Sequence, residues 1–566
     1  MTSGAQAIEY LSPRPLAEAS LPAVAACKGG GTVRLPVIAW GADIATSLAN
    51  GNATRTAAGS LLAEAGLDVE LYRQDDFQTQ VADYLSCKTP YLRGTVGMIN
   101  MAAEVANRDP RTRMSVIYQL SWSTGGDALV VKSGIERPAD LKGKTIAIQA
   151  YGPHVDYMLR VLKDAGLSQK DVTIKWVRDL IQVDERSSSP AMALAEDGKV
   201  DAAFVIIPDA LALTSGGAVG TGSEDSVKGA KILLSTKTAN RIIADVYAVR
   251  ADYLEANRDA VAGLVNGLLR AQEKLAQTMK AGGAEKGRVL ASAASLLLDS
   301  PDAAEDAAAM YQDAEFAGFE GNRRFFTDAA YPRRFQRLTA DLQSDFQGLG
   351  LIKRPTTIAT ADWDYDSLGR GLTARKGGEV ARFDKAAVRS LVQSRQQKGQ
   401  MAEGELFRFE IFFAPNQNSF PADQYSEAFE KVIDLASTYG GALLTVEGHS
   451  DPLGYLRKKK KNESVMVLKQ VKQAAKNLSY TRANAVKTSI IGYAGERGVT
   501  LDASQFGVAG LGVSQPNTPN CSLDQSGDIA LSCAPATKQE WNATRRVVFR
   551  IIQVEAEADV FKPLDE

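Results

Sequence analysis

The stretch RPADLKGKTIAIQAYGPHVDYML, residues 137–159, shows most clearly the pattern that predicts the fold of the N-terminal two-thirds. Its centre, TIAIQA (145–150), is a short run of apolar and β-branched residues, which predicts a strand, and a polar turn follows it. Similar runs occur before and after it, with helical patterns between several of them: VRLPVIAW (33–40), DVELYR (68–73), SVIYQL (115–120), DALVVK (127–132), VTIKWV (172–177), DAAFVI (201–206) and DVYAVR (245–250). Strands that alternate with helices predict an α/β architecture with largely parallel sheets.

Helical patterns and a polar segment complete this part of the chain. TRTAAGSLLAEAG (54–66) is a predicted helix that ends at glycine, and DFQTQVADYL (76–85) places its apolar residues on one helical face. From Asp252 to about residue 349 the pattern is mostly helical. Residues 375–404 are polar and include paired glycines, so we predict an interdomain linker there, either without regular structure or with one helix.

Length and composition limit the classes of function. A chain of 566 residues exceeds what one hydrophobic core usually supports, so two or three domains are expected. The formal net charge of −2 argues against a general polyanion binder, and we expect no nucleic-acid partner. No apolar run reaches the length of about 18 residues that a membrane-spanning helix requires. Residues 1–31 lack the basic start and apolar core of an ordinary signal peptide, so we expect an N-terminal extension or a leader remnant, with no export signal or anchor evident.

The four cysteines fall into two separated pairs, Cys27 with Cys87 and Cys521 with Cys533. This even count predicts disulfides and an oxidising compartment, although four buried thiols are an alternative. A bridge between Cys521 and Cys533 would contribute about 3 kcal/mol in the chain-entropy model. No C-x-x-C pair exists and the chain has only two histidines, so we predict no metal site and no cofactor.

The C-terminal part carries a series of short motifs in a fixed order. They are FAPNQNSF (413–420), VEGHSDPLG (446–454), LSYTRANAV (478–486), GVAGLGVSQP (507–516) and NATRRV (542–547). Together they resemble the OmpA-like peptidoglycan-binding domain, which also occurs in Pal lipoproteins and flagellar stator proteins. The resemblance implies an α+β OmpA-like domain over residues 405–556, followed by a tail at 557–566.

This resemblance implies a clamp for a zwitterion, the diaminopimelate of the peptidoglycan stem peptide. Asp451 would bind the ammonium, and Arg482 would bind the carboxylate through two parallel hydrogen bonds. Arg546 would support the same pocket, and Ser450 stands where the family often has threonine. The alternative is that Asp451 only caps a turn and that Arg482 pairs with a surface acid.

The sequence departs from this family in three places. An insertion that includes RKKKKNESVMVLKQVKQAAK (457–476) lengthens the chain between the predicted acid and arginine. Ala475 and Thr544 replace residues that are usually asparagine, so weaker or altered wall binding is possible. The basic run at 457–461 predicts a solvated loop, or alternatively a contact with wall or membrane phosphates.

Two phrases of the N-terminal part, RPADLKGKTI in the opening stretch and DAAFVIIPDA (201–210), resemble periplasmic solute-binding proteins of ABC importers. Within that group the sequence is similar to the branch that binds nitrate, sulfonates and pyrimidine precursors of thiamine. The resemblance implies an α/β two-lobed periplasmic-binding-protein fold over residues 32–374. Lobe 1 would contain residues 32–126 and 245–374, and lobe 2 residues 127–244, and the two would close on a small solute.

Polar residues that follow the predicted strands are candidates for the cleft between the lobes. TPYLRGT (89–95) suits an anion, because Arg93 supplies charge and glycine lets backbone N–H groups approach. The alternatives are that the tryptophan at position 40 belongs to the core and that Arg93 forms a surface ion pair. The full set of candidates is Trp40, Asp43, Thr46, Arg93, Thr95, Ser123, Thr124, Gly125, Gln149, Tyr151 and Asp209.

The two resemblances together imply a non-catalytic protein of the Gram-negative periplasm, held on the cell wall. It would bind a small, anionic or zwitterionic solute for ABC-type uptake or for sensing, with an ABC permease or another inner-membrane protein as partner. One alternative is a structural envelope protein without a ligand. Another is an enzyme like the pyrimidine synthases of this fold, for which His154 would be the only histidine outside the wall motif.

Overall fold

The computed structural model describes residues 8–27, 29–182, 184, 186–223, 226–373, 383–413, 417, 420, 422–525 and 528–553. The chain divides into two compact units, Met1–Gly378 and Glu379–Glu566, and each unit is described by itself.

The N-terminal unit is built from short strands and helices that alternate along most of its length. Its strands are β1 (Val33–Val37), β2 (Val69–Arg73), β3 (Tyr91–Thr95), β4 (Met114–Ser123), β5 (Asp127–Val131), β6 (Thr145–Gln149), β7 (Thr173–Val177), β8 (Ala202–Ile206), β9 (Lys231–Ser235), β10 (Ala244–Arg250), β11 (Ala314–Phe316) and β12 (Ala359–Thr360). Its helices are α1 (Asp43–Ala49), α2 (Leu61–Glu64), α3 (Phe77–Leu85), α4 (Val96–Ala106), α5 (Val155–Asp164), α6 (Pro190–Glu196), α7 (Ile207–Leu213), α8 (Ala251–Ala256), α9 (Arg258–Ala281), α10 (Gly283–Leu297), α11 (Ala304–Gln312), α12 (Gly318–Thr327), α13 (Phe335–Leu349) and α14 (Tyr365–Leu368).

Two main sheets divide this unit into two lobes. The sheet of lobe 1 has the order β11-β4-β10-β3, with β12 beside β4, and the pair β1-β2 accompanies it. The sheet of lobe 2 has the order β7-β6-β8-β5-β9. The strands of lobe 2 all lie between residues 127 and 235, inside the range predicted for that lobe.

The largely parallel arrangement expected from the sequence is found only in part. The pairs β1-β2, β6-β7 and β6-β8 are parallel, whereas β4, β10 and β3 pair antiparallel, as do β8, β5 and β9. The reason is that the chain passes between the lobes twice, from β4 directly into β5 and from β9 into β10. Because these two passages run in opposite directions, β4 pairs antiparallel with β10 in lobe 1, and β5 pairs antiparallel with β9 in lobe 2.

The C-terminal unit is an α+β structure with one four-stranded sheet of order β13-β16-β14-β15. Only β14 and β15 are parallel neighbours. Its elements are α15 (Lys385–Lys398), β13 (Glu405–Phe412), α16 (Ala422–Thr438), β14 (Leu443–His449), α17 (Leu453–Lys460), α18 (Val465–Glu496), β15 (Phe506–Gly512), α19 (Lys538–Thr544) and β16 (Arg546–Ile552).

The second half of the predicted linker belongs to the C-terminal unit instead. Residues 385–398 form α15, and Val388 and Val392 are buried with Leu443, Ala509 and Leu511 in one cluster. The two valines lie one helical turn apart, so they share one face of α15. Both pack against β15 at Gly507, where the absence of a side chain leaves room for them. The part of the predicted linker at 375–382 lies outside the described residues.

A buried ion cluster lies at the centre of lobe 1. The Arg93 guanidinium is fully buried, donates from Nη2 to Asp43 Oδ2 over 2.8 Å, and donates from Nη1 to Asp245 Oδ1 over 2.7 Å. Burial raises the pKa of Asp43 to about 6, against the opposing effect of Arg93. The sequence-based assignment of Arg93 as a charge for an anionic ligand is therefore wrong, since both of its ends are taken by carboxylates.

The polar turn predicted around Arg93 is in fact strand β3, paired antiparallel with β10 so that Arg93 lies opposite Tyr247. Buried carboxylates on either side of this strand explain why an arginine occupies an interior position. An ion cluster of this kind stabilises only as a complete set, because any member left alone keeps an uncompensated buried charge.

We expect Arg93→Met to lower the free energy of unfolding of the N-terminal unit by about 3 to 5 kcal/mol, because two buried carboxylates lose their partner. Denaturant unfolding of the full chain, followed by tryptophan fluorescence, measures this change. The variant that combines Arg93→Met with Asp43→Asn and Asp245→Asn is the matched control and should recover most of the loss. A loss below about 1 kcal/mol for Arg93→Met alone is typical of an exposed pair and would contradict the cluster.

Candidate functional sites

Three side chains meet at one edge of the lobe 2 sheet, the edge nearest lobe 1. Asp127 begins β5, His154 lies just before α5, and Asp209 lies in the first turn of α7. His154 Nε2 and Asp127 Oδ1 are 2.7 Å apart, and both side chains are buried. Burial raises the pKa of Asp209 to about 6, and the nearby His154 opposes that rise.

Most of the predicted cleft residues are engaged in contacts within the protein. Trp40 is half-buried, donates from Nε1 to Ser121 Oγ over 3.0 Å, and lies against Gly126, where a β-carbon would approach the indole ring to 2.4 Å. Thr46 is buried within α1. Thr95 caps α4, because its hydroxyl accepts from the backbone N–H of Met98 over 3.2 Å.

The candidates between β4 and β5 hold the passage between the lobes. Ser123 Oγ donates to Asp127 Oδ2 over 2.6 Å, and the backbone N–H of Thr124 donates to the carbonyl of Asp313 over 2.8 Å. The backbone N–H of Gly125 donates to Thr236 Oγ1 over 3.0 Å. A side chain at position 125 would collide with the Asp313 carboxylate, so glycine is required for this approach.

The remaining two candidates lie at the end of β6 and in the turn that follows it. Gln149 donates from Nε2 to the carbonyl of Arg178 over 3.2 Å. Tyr151 has a left-handed backbone with φ of 59°, and its hydroxyl donates to the carbonyl of Arg14 over 2.7 Å. Tyr151 is therefore in contact with the N-terminal segment.

That N-terminal segment, residues 8–27, crosses from lobe 2 to lobe 1. Leu11 forms an antiparallel bridge with Trp176 of β7, in which the backbone N–H of Leu11 donates to the carbonyl of Trp176 over 2.8 Å. Further along, Glu18 pairs with Lys353 over 2.6 Å, and Cys27 is joined to Cys87 by a disulfide. This segment therefore contacts both lobes. No pattern in its own sequence predicted these contacts.

A small cavity of about 30 Å³, open to solvent, lies between α5 of lobe 2 and α13 of lobe 1. None of the predicted cleft residues lines it. Its walls are formed by Asp156, Arg160, Lys163, Ile242, Arg333, Leu338, Asp341, Leu342 and Asp345. Sequence reasoning missed this set, although Asp156 lies within the quoted stretch 137–159 and directly follows the turn that contains His154.

In the C-terminal unit, the predicted acid and arginine lie in the same region. Asp451 follows β14, accepts from the backbone N–H of Leu453 over 2.8 Å, and lies 3.9 Å from Nη1 of Arg545. Burial lowers the pKa of Arg482, and the neighbouring Arg545 lowers it further. One carboxylate and two guanidinium groups therefore share this site.

Glycines in the strands position the helix that carries Arg482. A β-carbon at Gly448 of β14 would lie 1.9 Å from the carbonyl oxygen of Ser479, and one at Gly510 of β15 would lie 2.4 Å from that of Lys476. Only glycine lets the backbone of α18 approach the sheet this closely. The start of the LSYTR motif is therefore fixed against the same strand that leads to Asp451.

Two of the predicted wall-binding residues have other partners. Arg546 is buried and pairs with Glu410 over 3.3 Å, so the arginine beside Asp451 is its neighbour Arg545. Arg546 is the first residue of β16 and Arg545 lies just before the strand, so the two side chains have different neighbours. Ser450 Oγ donates to the carbonyl of Ala475 over 3.3 Å and is buried.

The basic run at 457–461 is mostly helical instead of a loop, but it is solvated as predicted, since Arg457, Lys458, Lys460 and Lys461 are exposed. The insertion at 457–476 forms the end of α17 and the beginning of α18, and Tyr455 and Leu456, just before it, are buried in a small cluster with Cys533. Lys459 Nζ pairs with Asp524 over 2.6 Å. The Cys521–Cys533 disulfide closes the loop that carries this aspartate. Together with the disulfide between Cys27 and Cys87, both predicted disulfides are present.

None of the described helices is long and apolar enough to cross a membrane. In the described part of the chain, no group of three or more His, Cys, Asp or Glu side chains is placed to hold a metal ion.

Comparison with protein-family models matches residues 60–279 to the family described as NMT1/THI5 like. Comparison with curated proteins finds no match. The chain is similar in structure to the periplasmic sulfonate-binding protein SsuA of Methylobacillus flagellatus KT, with 19% identity over 58% of this chain and 89% of that chain, and a TM-score of 0.40.

Two further solved structures show the same level of similarity. The alkanesulfonate-binding protein SsuA of Xanthomonas axonopodis pv. citri, bound to MOPS, has 18% identity over 60% of this chain and 98% of that chain, with a TM-score of 0.39. The desulfurization enzyme DSZB has 15% identity over 60% of this chain and 99% of that chain, with a TM-score of 0.38. The match to the NMT1/THI5-like family model thus lies within the N-terminal unit.

Proposed function

We propose that this protein is a non-catalytic receptor of the Gram-negative periplasm that binds a small solute in its N-terminal unit and peptidoglycan through its C-terminal unit. The observation that carries the proposal is the pairing, in one chain, of an NMT1/THI5-like domain with a site that combines Asp451, Arg482 and Arg545. The solute is delivered to an ABC permease or read by another inner-membrane partner.

The solute-binding role is supported by the arrangement of the two lobes. Each lobe has its own sheet, the lobes are joined by two passages, and a cavity is lined by residues of both. Hinge closure of two lobes around a small molecule is a known way for such a fold to bind its ligand. The NMT1/THI5-like match covers strands of both lobes.

A binding role is favoured over a catalytic one by the state of His154. This histidine is fully buried and bonded to Asp127, and the chain's other histidine, His449, lies in the wall motif. A single buried histidine gives little basis for an enzyme that depends on histidine and a bound metal.

The wall-binding role is supported by the charges of the C-terminal unit. A carboxylate beside two guanidinium groups suits a ligand that carries an ammonium and a carboxylate on the same carbon, as diaminopimelate does. In this proposal Asp451 binds the ammonium, and Arg482 binds the carboxylate. Arg545 replaces Arg546 as the supporting cation, because it is the arginine that lies 3.9 Å from Asp451.

For the solute, we expect thermal unfolding of the full chain to shift upward with at least one compound from a broad panel of anions, sulfonates, amino acids and pyrimidines. A ligand at 100 times its dissociation constant stabilises the folded unit by about 2.7 kcal/mol. The isolated C-terminal transition in the same scan is the internal control and should not move. No shift with any compound would contradict the receptor and favour a structural envelope protein.

For the wall, we expect Asp451→Ala, Arg482→Ala and Arg545→Ala each to reduce co-sedimentation with purified sacculi at least tenfold. Each change leaves a partner charge of the site uncompensated and removes hydrogen bonds to the ligand. The measurement is the bound fraction after centrifugation at several protein concentrations.

Matched controls for the wall experiment are Arg389→Ala and Glu496→Ala, which change exposed charges of the same unit. Both should pellet like the unchanged protein. Equal pelleting of all five variants would show that wall binding does not use this site.

A further inference from the structure

The insertion between the predicted acid and arginine of the C-terminal unit carries a strong local positive charge. Residues 457–476, which we call the basic hairpin, run from the last turn of α17 into α18. They contain eight Lys and Arg residues and a single acidic residue, Glu463. The whole chain, in contrast, has a formal net charge of −2. The wall-binding site proposed above uses none of these eight cations.

Two of the eight cations are held by the neighbouring disulfide-closed loop. Lys459 Nζ pairs with Asp524 Oδ2 over 2.6 Å, and Lys472 Nζ pairs with Asp528 Oδ1 over 2.6 Å. These two pairs fix the loop against the basic hairpin. The other six cations are exposed and form no ion pair within the described part of the chain: Arg457, Lys458, Lys460, Lys461, Lys469 and Lys476.

Strongly exposed apolar side chains lie beside these cations. Val465 and Met466, in the first turn of α18, are 70% and 71% exposed. Leu523, which directly precedes the aspartate that pairs with Lys459, is 64% exposed. Among the described residues these are the three most exposed large hydrophobic side chains. Apolar side chains exposed together in this way, with polar residues around them, are typical of an interaction surface.

The helical geometry of α18 places basic and apolar side chains on one face. Lys469 lies one turn after Val465, and Lys476 lies three turns after it, so the three side chains project in similar directions. The opposite face of this part of α18 packs against Tyr455 and Leu456. The exposed face is therefore held in place by a packed one.

This combination of groups is complementary to the surface of an anionic bilayer. Phospholipid headgroups supply negative charge for the six cations, and the boundary with the acyl chains accepts exposed apolar side chains. A soluble polyanion would satisfy only the cations and leave Val465 and Met466 in water.

We propose that the basic hairpin, together with Leu523, is a docking surface for an anionic phospholipid bilayer. The cations lie over the headgroups, while Val465, Met466 and Leu523 enter the boundary between headgroups and acyl chains. Binding of this kind is peripheral and reversible, because it rests on a few side chains and on charge attraction. The inference goes beyond the proposed function and does not depend on wall binding through Asp451.

The test is flotation of the full chain with vesicles of two compositions, one of equal parts phosphatidylglycerol and phosphatidylcholine and the other of phosphatidylcholine alone. We expect binding to the anionic vesicles only. We also expect this binding to weaken as the salt concentration is raised, because salt screens the attraction between exposed charges. Equal binding to both compositions, or binding to neither, overturns the inference.

A charge variant locates the binding surface. Each cation removed should weaken binding about fivefold, so a variant with four changes should lose at least about thirtyfold in affinity for the anionic vesicles. Its changes are Lys458→Gln, Lys460→Gln, Lys461→Gln and Lys469→Gln.

The matched control removes the same charge from exposed positions elsewhere in the C-terminal unit. Its changes are Lys385→Gln, Arg389→Gln, Lys398→Gln and Lys538→Gln. The control should bind nearly as tightly as the unchanged protein. Equal losses in the two variants would mean that net charge alone attracts the protein, which overturns the docking surface.

An apolar variant separates a bilayer from a soluble polyanion. Val465→Ser combined with Met466→Ser should weaken flotation about tenfold, because two side chains lose their transfer out of water. Leu211→Ser combined with Val219→Ser, which changes two exposed apolar residues of the N-terminal unit, is the matched control and should float like the unchanged protein. Flotation that the Val465 and Met466 changes leave intact would show that the cations bind phosphate groups alone, and would overturn the bilayer as the partner.

Discussion

The N-terminal unit depends on the hydrogen bonds of Asp127, the first residue of lobe 2 after the chain leaves lobe 1. Its carboxylate accepts from Ser123 Oγ over 2.6 Å and contacts His154 Nε2 at 2.7 Å, while its backbone N–H donates to Thr236 Oγ1 over 3.1 Å. One residue thereby joins both passages between the lobes to the turn that begins α5. A carboxylate with all of its partners inside the protein holds a buried position at little cost, whereas loss of one partner would leave a costly polar group.

The interior of lobe 1 contains a buried cation whose charge is balanced within the fold. The interior cation Arg93 is used entirely within the fold, where Asp43 and Asp245 take both ends of its guanidinium. Both ends of this guanidinium are therefore already occupied by groups of the protein itself.

The C-terminal unit places its charges by close backbone packing. Gly448 and Gly510 let α18 lie directly against β14 and β15, and this contact brings Arg482 near the turn that follows β14. The added length of α18 and the disulfide-closed loop form a small apolar cluster beside that site.

The sequence by itself determined the alternation of strands and helices, the separation into two units, and the helix at 77–85, because apolar periodicity is a local property of the chain. Short motifs in it also predicted Asp451 and Arg482 as site residues, which stays a prediction. The sequence could not predict which arginine of the pair 545–546 reaches Asp451, since that depends on where strand β16 begins in the folded sheet. Nor could it show that Arg93 is neutralised by Asp43 and Asp245, residues far from it along the chain. The lining of the small cavity between α5 and α13 likewise comes from residues far apart in the chain, so the tertiary structure alone decided which of them lie together.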